Sequence, residues 1–466
     1  MKNIGANLGY VDELYARYLE DPESVSEAWR EFFADYRPTP ETLPPAREPA
    51  PTTAAATVEK TPVPEPGQET GEPLRGIAGK IAENMAASLE VPTATSTRSI
   101  PVKLLEENRK LINQHLETVG GGKISFTHLI AWGIVRAIEL HPGMNAGYAD
   151  KDGVPHRLRR DRLNLGLAID VDRKGERILL VPNIKDAGRL DFPSLVAAYD
   201  DLVVRARQGK LSLDDFEGTT VTLTNPGMIG TSMSVPRLMV GQGTIVGVGA
   251  IGYPAEFKGM APEVITELGL SKAMTVTSTY DHRVIQGAES GAFLASLEEM
   301  LTGGRGFYQR IFEDLDVPHE PVAWSGDQNP QLFGSAGNTE AIEKQARVMQ
   351  LIRCYRVRGH LVANIDPLGG TPDKHDELEL SHYGLTLGDL DRRFITGGLA
   401  GHSGTLTLRE ILDTMRETYT RHVGVEFMHI QEPDVRSWLQ QRMEAARNAA
   451  PLERDDQHRI LGRLNA

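Results

Sequence analysis

The chain has 466 residues, enough for about three domains at ~150 residues each. Its 50 Lys and Arg against 64 Asp and Glu give a formal charge of −14, which argues against nucleic acid or an anionic membrane surface as the main partner. The single cysteine, Cys354, excludes an intramolecular disulfide and a thiolate zinc site, and fits a reducing cytoplasm.

The start, Met1-Lys2-Asn3-Ile4-Gly5, runs into Asp12 and Glu13 without the apolar core of a signal peptide. No run approaches the ~20 apolar residues of a membrane span, so no membrane partner is expected. Residues 1–36 read as a small helical hairpin, in which Asp21-Pro22-Glu23 opens a helix and Val25, Trp29, Phe32 and Phe33 share one face. That stripe either packs elsewhere on the chain or docks on a partner subunit. From Pro38 to Pro73 the composition turns to Pro, Ala, Thr and Glu, and residues 37–73 read as an extended, semi-rigid linker.

Residues 74–304 carry the pattern of a mixed α/β (α+β) unit, a sheet covered by helices. Helical periodicity runs through Ile77–Leu89, Val102–Leu116, Phe126–Leu140 and the segment Phe192–Val203. Strands are expected at Leu163–Val171, Ile178–Ile184, Val221–Thr224, Thr244–Val248 and Met274–Tyr280. Residues 305–466 read as mostly helical, with helices at Thr339–Val357, Leu408–Tyr419 and Pro433–Arg447 and few strands. Cys354 falls on an apolar helix face and reads as structural.

Of 13 histidines, His282 has the strongest context. It follows a β-branched strand in Tyr280-Asp281-His282-Arg283-Val284-Ile285-Gln286-Gly287, so a rigid element holds the imidazole where loops build sites. A second candidate is Thr224, delivered by a strand into the turn Asn225-Pro226-Gly227, which suits an O–H donor to a developing oxyanion. An ordinary strand-turn with Thr224 as a β-former is the alternative. No metal site is expected.

These stretches resemble the catalytic domain of the dihydrolipoamide acyltransferases, the second component of 2-oxoacid dehydrogenase complexes, which share the chloramphenicol acetyltransferase fold. The resemblance rests on ordered segments: Gly76–Met85, Val171–Pro182, Gly209-Lys210-Leu211, Thr222–Gly230 and Asp281-His282-Arg283. It implies a homotrimer with an active site shared between neighbouring subunits, His282 as general base and Thr224 as oxyanion donor. Coenzyme A and dihydrolipoamide would be the substrates, with neither a metal nor a covalent acyl-enzyme required. Asp281, Arg283, Gln286 and Gly287 would be supporting residues. The family has Asp-Gly where this chain has Gln286-Gly287; neutral Gln keeps hydrogen-bonding capacity and loses the charge.

The flanks are similar to the thiamine-dependent 2-oxoglutarate dehydrogenases. Asn7–Tyr15 and Trp29–Phe33 resemble that enzyme's N-terminus, and Ala346–Leu368, with Tyr355–Leu361 and Asp366-Pro367-Leu368, its helical region. The whole resembles the fused 2-oxoglutarate dehydrogenases of actinobacteria, which implies succinyl as the acyl group and the citric acid cycle as the setting. Thiamine diphosphate and Mg2+ would belong to a C-terminal part beyond Ala466, because Gly326-Asp327-Gln328-Asn329 is not the family's binding motif; no decarboxylase activity is expected of this chain by itself. His360 reads as structural or interdomain.

No lipoyl module is recognisable, so the lipoyl domain is expected in trans from another acyltransferase subunit, with dihydrolipoamide dehydrogenase as a further partner. Two rival readings remain: a catalytically weak trimeric scaffold, favoured by Gln286, and a free-standing acetyltransferase of the chloramphenicol type, which leaves both flanks unexplained.

Overall fold

The structure is a computed structural model and describes residues 77–466 except 174–175, 328–336, 367, 369, 371, 450–451 and 466. It also describes Tyr18, Leu19, Asp21, Pro22, Val25, Arg30 and Phe33. The chain divides into two units, Met1–Glu72 and Pro73–Ala466. In the first, Val25 and Phe33 are buried and the Tyr18 and Phe33 rings lie 5.5 Å apart. Trp29, Phe32 and the linker lie outside the described residues.

The second unit opens with α1 (Ile77–Ser88), β1 (Thr93–Pro101), α2 (Lys103–Thr118) and α3 (Phe126–Leu140). Ser125 caps α3 by accepting the His128 N–H, and the helix stops where His141-Pro142 removes the next donor. A hairpin of β2 (Gly147–Lys151) and β3 (Val154–Leu158) follows. Next come β4 (Leu165–Leu167), β5 (Ile169–Arg173), β6 (Glu176–Leu180), β7 (Asn183–Ile184) and α4 (Phe192–Gln208). Helix α4 is capped by Asp191 and closed by Gly209 in the left-handed region. The unit continues with β8 (Val221–Thr224), β9 (Thr244–Val248), α5 (Pro262–Glu267), β10 (Ala273–Asp281), α6 (Gly287–Leu301) and α7 (Phe307–Asp314).

Six strands make one mixed sheet in the order β1-β10-β9-β8-β4-β7. β4, β8 and β9 are parallel, and the other pairs are antiparallel. Helix α6 lies against β1 and β10, and α3 packs on α6, so the sheet-and-helix class read from the sequence is the one observed.

Two expected strands are each broken. Leu163–Val171 stays on the sheet through Ala168, which donates to Leu223 O of β8 at 2.9 Å, and then leaves it, because Ile169–Arg173 pairs with β6 in a separate hairpin. Ile178–Ile184 breaks at Val181-Pro182, where proline has no N–H for the ladder.

The C-terminal region holds α8 (Gly337–Arg358), a short pair β11 (Arg393–Ile395) and β12 (Thr405–Thr407), and helices α9 (Leu408–Tyr419), α10 (Pro433–Ala446) and α11 (Arg454–Leu464). It shares one hydrophobic core with the sheet region, running from Ile100 to Phe427. Tyr308 of α7 donates to Leu301 O at 2.8 Å and Asp314 accepts from Phe192 N at 3.4 Å, so α7 packs on the sheet's helical layer. Glu444 is buried and accepts Arg356 Nε and Nη2 at 2.7 and 3.1 Å, the Tyr419 hydroxyl at 2.9 Å and Ala400 N at 3.0 Å, tying α8, α9 and α10 together. Cys354 is buried in α8, as its apolar helical setting predicts.

Candidate active site

His282 stands at the C-terminal end of β10. Its backbone N–H donates to Pro92 O at 2.9 Å, which pins the motif to the start of β1. The ring places Nδ1 3.2 Å from Ile285 O, a carbonyl that can only accept; this fixes the proton on Nδ1 and leaves Nε2 as the basic atom.

The side chains on either side are locked. Asp281 is buried and accepts from Arg283 Nε at 2.9 Å, Nη2 at 2.7 Å and backbone N at 3.1 Å. These hydrogen bonds raise the Arg283 pKa further, and the guanidinium lies 3.7 Å from the Tyr148 ring centroid. Beneath the motif, Thr244, Ser278 and Ser290 form a buried hydroxyl chain with 3.2 and 3.1 Å steps, joining β9, β10 and α6. Sequence reading did not find Tyr148, the Ile285 carbonyl or this chain. Their partners lie up to 135 residues apart in the numbering, and no local pattern marks them.

Gln286 occupies the N-cap position of α6 and its side chain makes no capping hydrogen bond. An Asp at this position would accept from the first turn, a helix cap that Gln286 does not supply.

Thr224 ends β8. Next to it Asn225 Nδ2 donates to Thr127 Oγ1 at 3.0 Å, and the backbone of Gly227 packs so tightly on Gly249 and Ala250 that a Cβ there would collide with main-chain atoms. The turn is thereby held rigid on the end of β9.

One chain does not bring Thr224 and His282 together. Thr224 is level with Gly247 and, across it, with Thr277, so His282 lies five positions further along β10. At ~3.3 Å per residue this is ~16 Å along the strands, with two strand spacings of ~4.8 Å across them, far beyond hydrogen-bond reach.

A cleft of about 910 Å³ opens at the Thr224 end of the sheet. Lys103 follows β1, Lys272 precedes β10, Tyr253 follows β9 and Phe126 adjoins Thr127, the partner of Asn225. Its lining carries six Lys or Arg side chains against four carboxylates. Arg109 and Lys123 pair with no carboxylate among the described residues, and burial lowers the Arg109 pKa from its ordinary value. A phosphorylated ligand matches this surplus.

Elsewhere, Asp327 is held by Arg392 Nη2 at 2.9 and 2.8 Å, and Gln328 and Asn329 lie outside the described residues. Among the described residues no group of three or more His, Cys, Asp or Glu is placed to hold a metal ion, and no helix is long and apolar enough to cross a membrane. His360 Nε2 lies 3.6 Å from Glu426.

The multifunctional 2-oxoglutarate metabolism enzyme of Mycolicibacterium vanbaalenii is 45% identical over 99% of this chain and 40% of its own length. The 2-oxoglutarate dehydrogenase E1/E2 component of Corynebacterium glutamicum is 44% identical over the same shares. The chain thus spans about two-fifths of the length of the curated relatives it matches. A solved dihydrolipoamide acetyltransferase of Azotobacter vinelandii aligns over 52% of this chain and 96% of that one, at 25% identity and a TM-score of 0.44. Residues 4–40 match the 2-oxoglutarate dehydrogenase N-terminus. The model of the 2-oxoacid dehydrogenases acyltransferase (catalytic domain) matches residues 66–305, just over half of the sequence, and the chain belongs to that acyltransferase family.

Proposed function

We propose that the chain transfers a succinyl group between dihydrolipoamide and coenzyme A within a 2-oxoglutarate dehydrogenase complex in the cytoplasm. The observation that carries this reading is the His282 imidazole, its Nδ1 fixed by Ile285 O and its Nε2 left basic at the end of a rigid strand. Nε2 takes the proton of the attacking thiol, and the thiolate adds to the thioester carbonyl carbon. The tetrahedral oxyanion accepts a hydrogen bond from the Thr224 hydroxyl, an interaction worth ~3 kcal/mol in comparable sites. Collapse breaks the original C–S bond, and the departing thiolate recovers the proton from the imidazolium. No net proton or electron is consumed.

Because Thr224 and His282 stand at opposite ends of the sheet, the working site joins His282 of one copy to Thr224 of its neighbour in a trimer. Coenzyme A approaches from the Thr224 side, its phosphates against the cationic cleft. The lipoyl group comes in trans from another acyltransferase subunit, whose partner dihydrolipoamide dehydrogenase reoxidises it. The 2-oxoglutarate dehydrogenase names of the relatives support succinyl as the acyl group.

The test is succinyl transfer from succinyl-coenzyme A to free dihydrolipoamide. His282→Ala is expected to lower the rate by ~10²–10⁴ while leaving assembly intact; an unchanged rate would overturn the reading. Gln286, uncapped and uncharged, favours a second reading, a trimeric scaffold with little activity of its own. Absent transfer by the original chain, with a gain in Gln286→Asp, would select the scaffold.

A further inference from the structure

The cationic cleft is not closed by the acyltransferase fold alone. Two of its lining residues, Asp391 and Arg409, lie beyond residues 66–305, in the C-terminal region. Arg409 stands in the first turn of α9 and reaches across to α2, where Nη1 meets Glu107. Its Nη2 and Nε meet Asp391 Oδ1 at 2.7 and 3.2 Å. Lys103 also meets Asp391, at 2.8 Å, and Lys110 pairs with Asp413 of α9. The wall of the cleft is therefore a seam of ion pairs between two regions.

We infer that Arg409 is a coenzyme A-binding residue, a phosphate ligand that the C-terminal region contributes to the acyltransferase site. The inference rests on the placement of coenzyme A in this cleft. Arg409 is the guanidinium that the C-terminal region supplies to the lining, and its planar fork of donors suits a phosphate bidentately in a way the neighbouring lysines do not. Arg109 and Lys123, which form no ion pair with a carboxylate among the described residues, belong to the same lining. Burial lowers the Arg409 pKa from its ordinary value. A phosphate brought against Arg409 takes the place of Asp391 on Nη2 and Nε, because Asp391 keeps Lys103 as a partner at 2.8 Å.

Pantetheine, which carries the reactive thiol of coenzyme A without the nucleotide phosphates, separates this contact from the chemistry. The readout is the ratio of KM for pantetheine to KM for coenzyme A, as acceptors from S-succinyl-dihydrolipoamide. The original chain is expected to favour coenzyme A, and Arg409→Met to lower the ratio about tenfold, the size of one charge-assisted phosphate contact. Arg409→Lys, which keeps the charge without the fork and guards against misfolding, is expected to fall between them. Asp413→Asn breaks the neighbouring ion pair without removing a cation from the cleft, and is expected not to lower the ratio.

An unchanged ratio in Arg409→Met, with a lowered one in Arg109→Met and Lys123→Met, overturns the role of Arg409 and leaves coenzyme A in the cleft. Equal losses in Arg409→Met and Asp413→Asn overturn it too, since an intact seam is then what matters. An original chain that does not distinguish the two acceptors removes coenzyme A from the cleft altogether.

Discussion

At the scale of single residues, tautomer and support decide what His282 can do. The Ile285 carbonyl three residues downstream selects the Nδ1–H form, so the base is prepared by its own loop. Gln286, four residues after His282, acts at a different place: it stands at the N-cap of α6 and makes no capping bond. Gln286→Asp is therefore expected to raise stability by about 1 kcal/mol, read as a higher midpoint in urea at unchanged slope. A midpoint that does not move would assign the family's carboxylate to chemistry alone. The positions of His282 and Thr224 were legible in the sequence because each ends a β-branched run. Their supports were not: the Tyr148 ring under Arg283 and the Ser290 hydroxyl under Ser278 meet only after folding.

At the scale of elements, legibility followed hydrophobic pattern. Helix α3 is found where its periodicity and its His141-Pro142 stop place it, and β8 and β9 match their β-branched runs residue for residue. β1 was missed, because Thr93–Pro101 is an edge strand rich in hydroxyls that buries only Ile100 and pairs side chains such as Thr95 Oγ1 and Thr279 Oγ1, at 2.8 Å, along its polar length. The break after Leu167 was invisible because Leu165, Leu167, Ile169 and Val171 keep one alternation while changing partner strands. In the C-terminal region Thr407 and Glu410 form a capping box that starts α9. The junction of α8, α9 and α10 hangs on the buried Glu444 carboxylate, and Glu444→Ala leaves Arg356 unpaired. We expect a cost of about 3–5 kcal/mol, measured by urea unfolding. A loss below about 1 kcal/mol would show that the helices hold without the charge.

At the scale of the whole molecule, the sheet region and the C-terminal helices share one core and a charged seam, so the acyltransferase fold and the helices after it pack as one body. The matched strand register separates Thr224 from His282 within one chain, and the proposed site is therefore a property of the assembly. Chains carrying Thr224→Ala and chains carrying His282→Ala are each expected to be inactive as pure trimers. Co-expressed, they should regain activity at roughly a quarter of the interfaces, those that pair an intact His282 with an intact Thr224. No recovery in mixed trimers would overturn the site shared between copies.

The opposite placement of Thr224 and His282 carries a kinetic consequence for the proposed reaction as well. Under that proposal a newly made chain, or one released by dilution, would hold two half-sites and no whole one, and would leave acyl-coenzyme A untouched. Turnover would begin only with self-association and scale with the assembled population, so that subunit concentration itself would arm the catalyst.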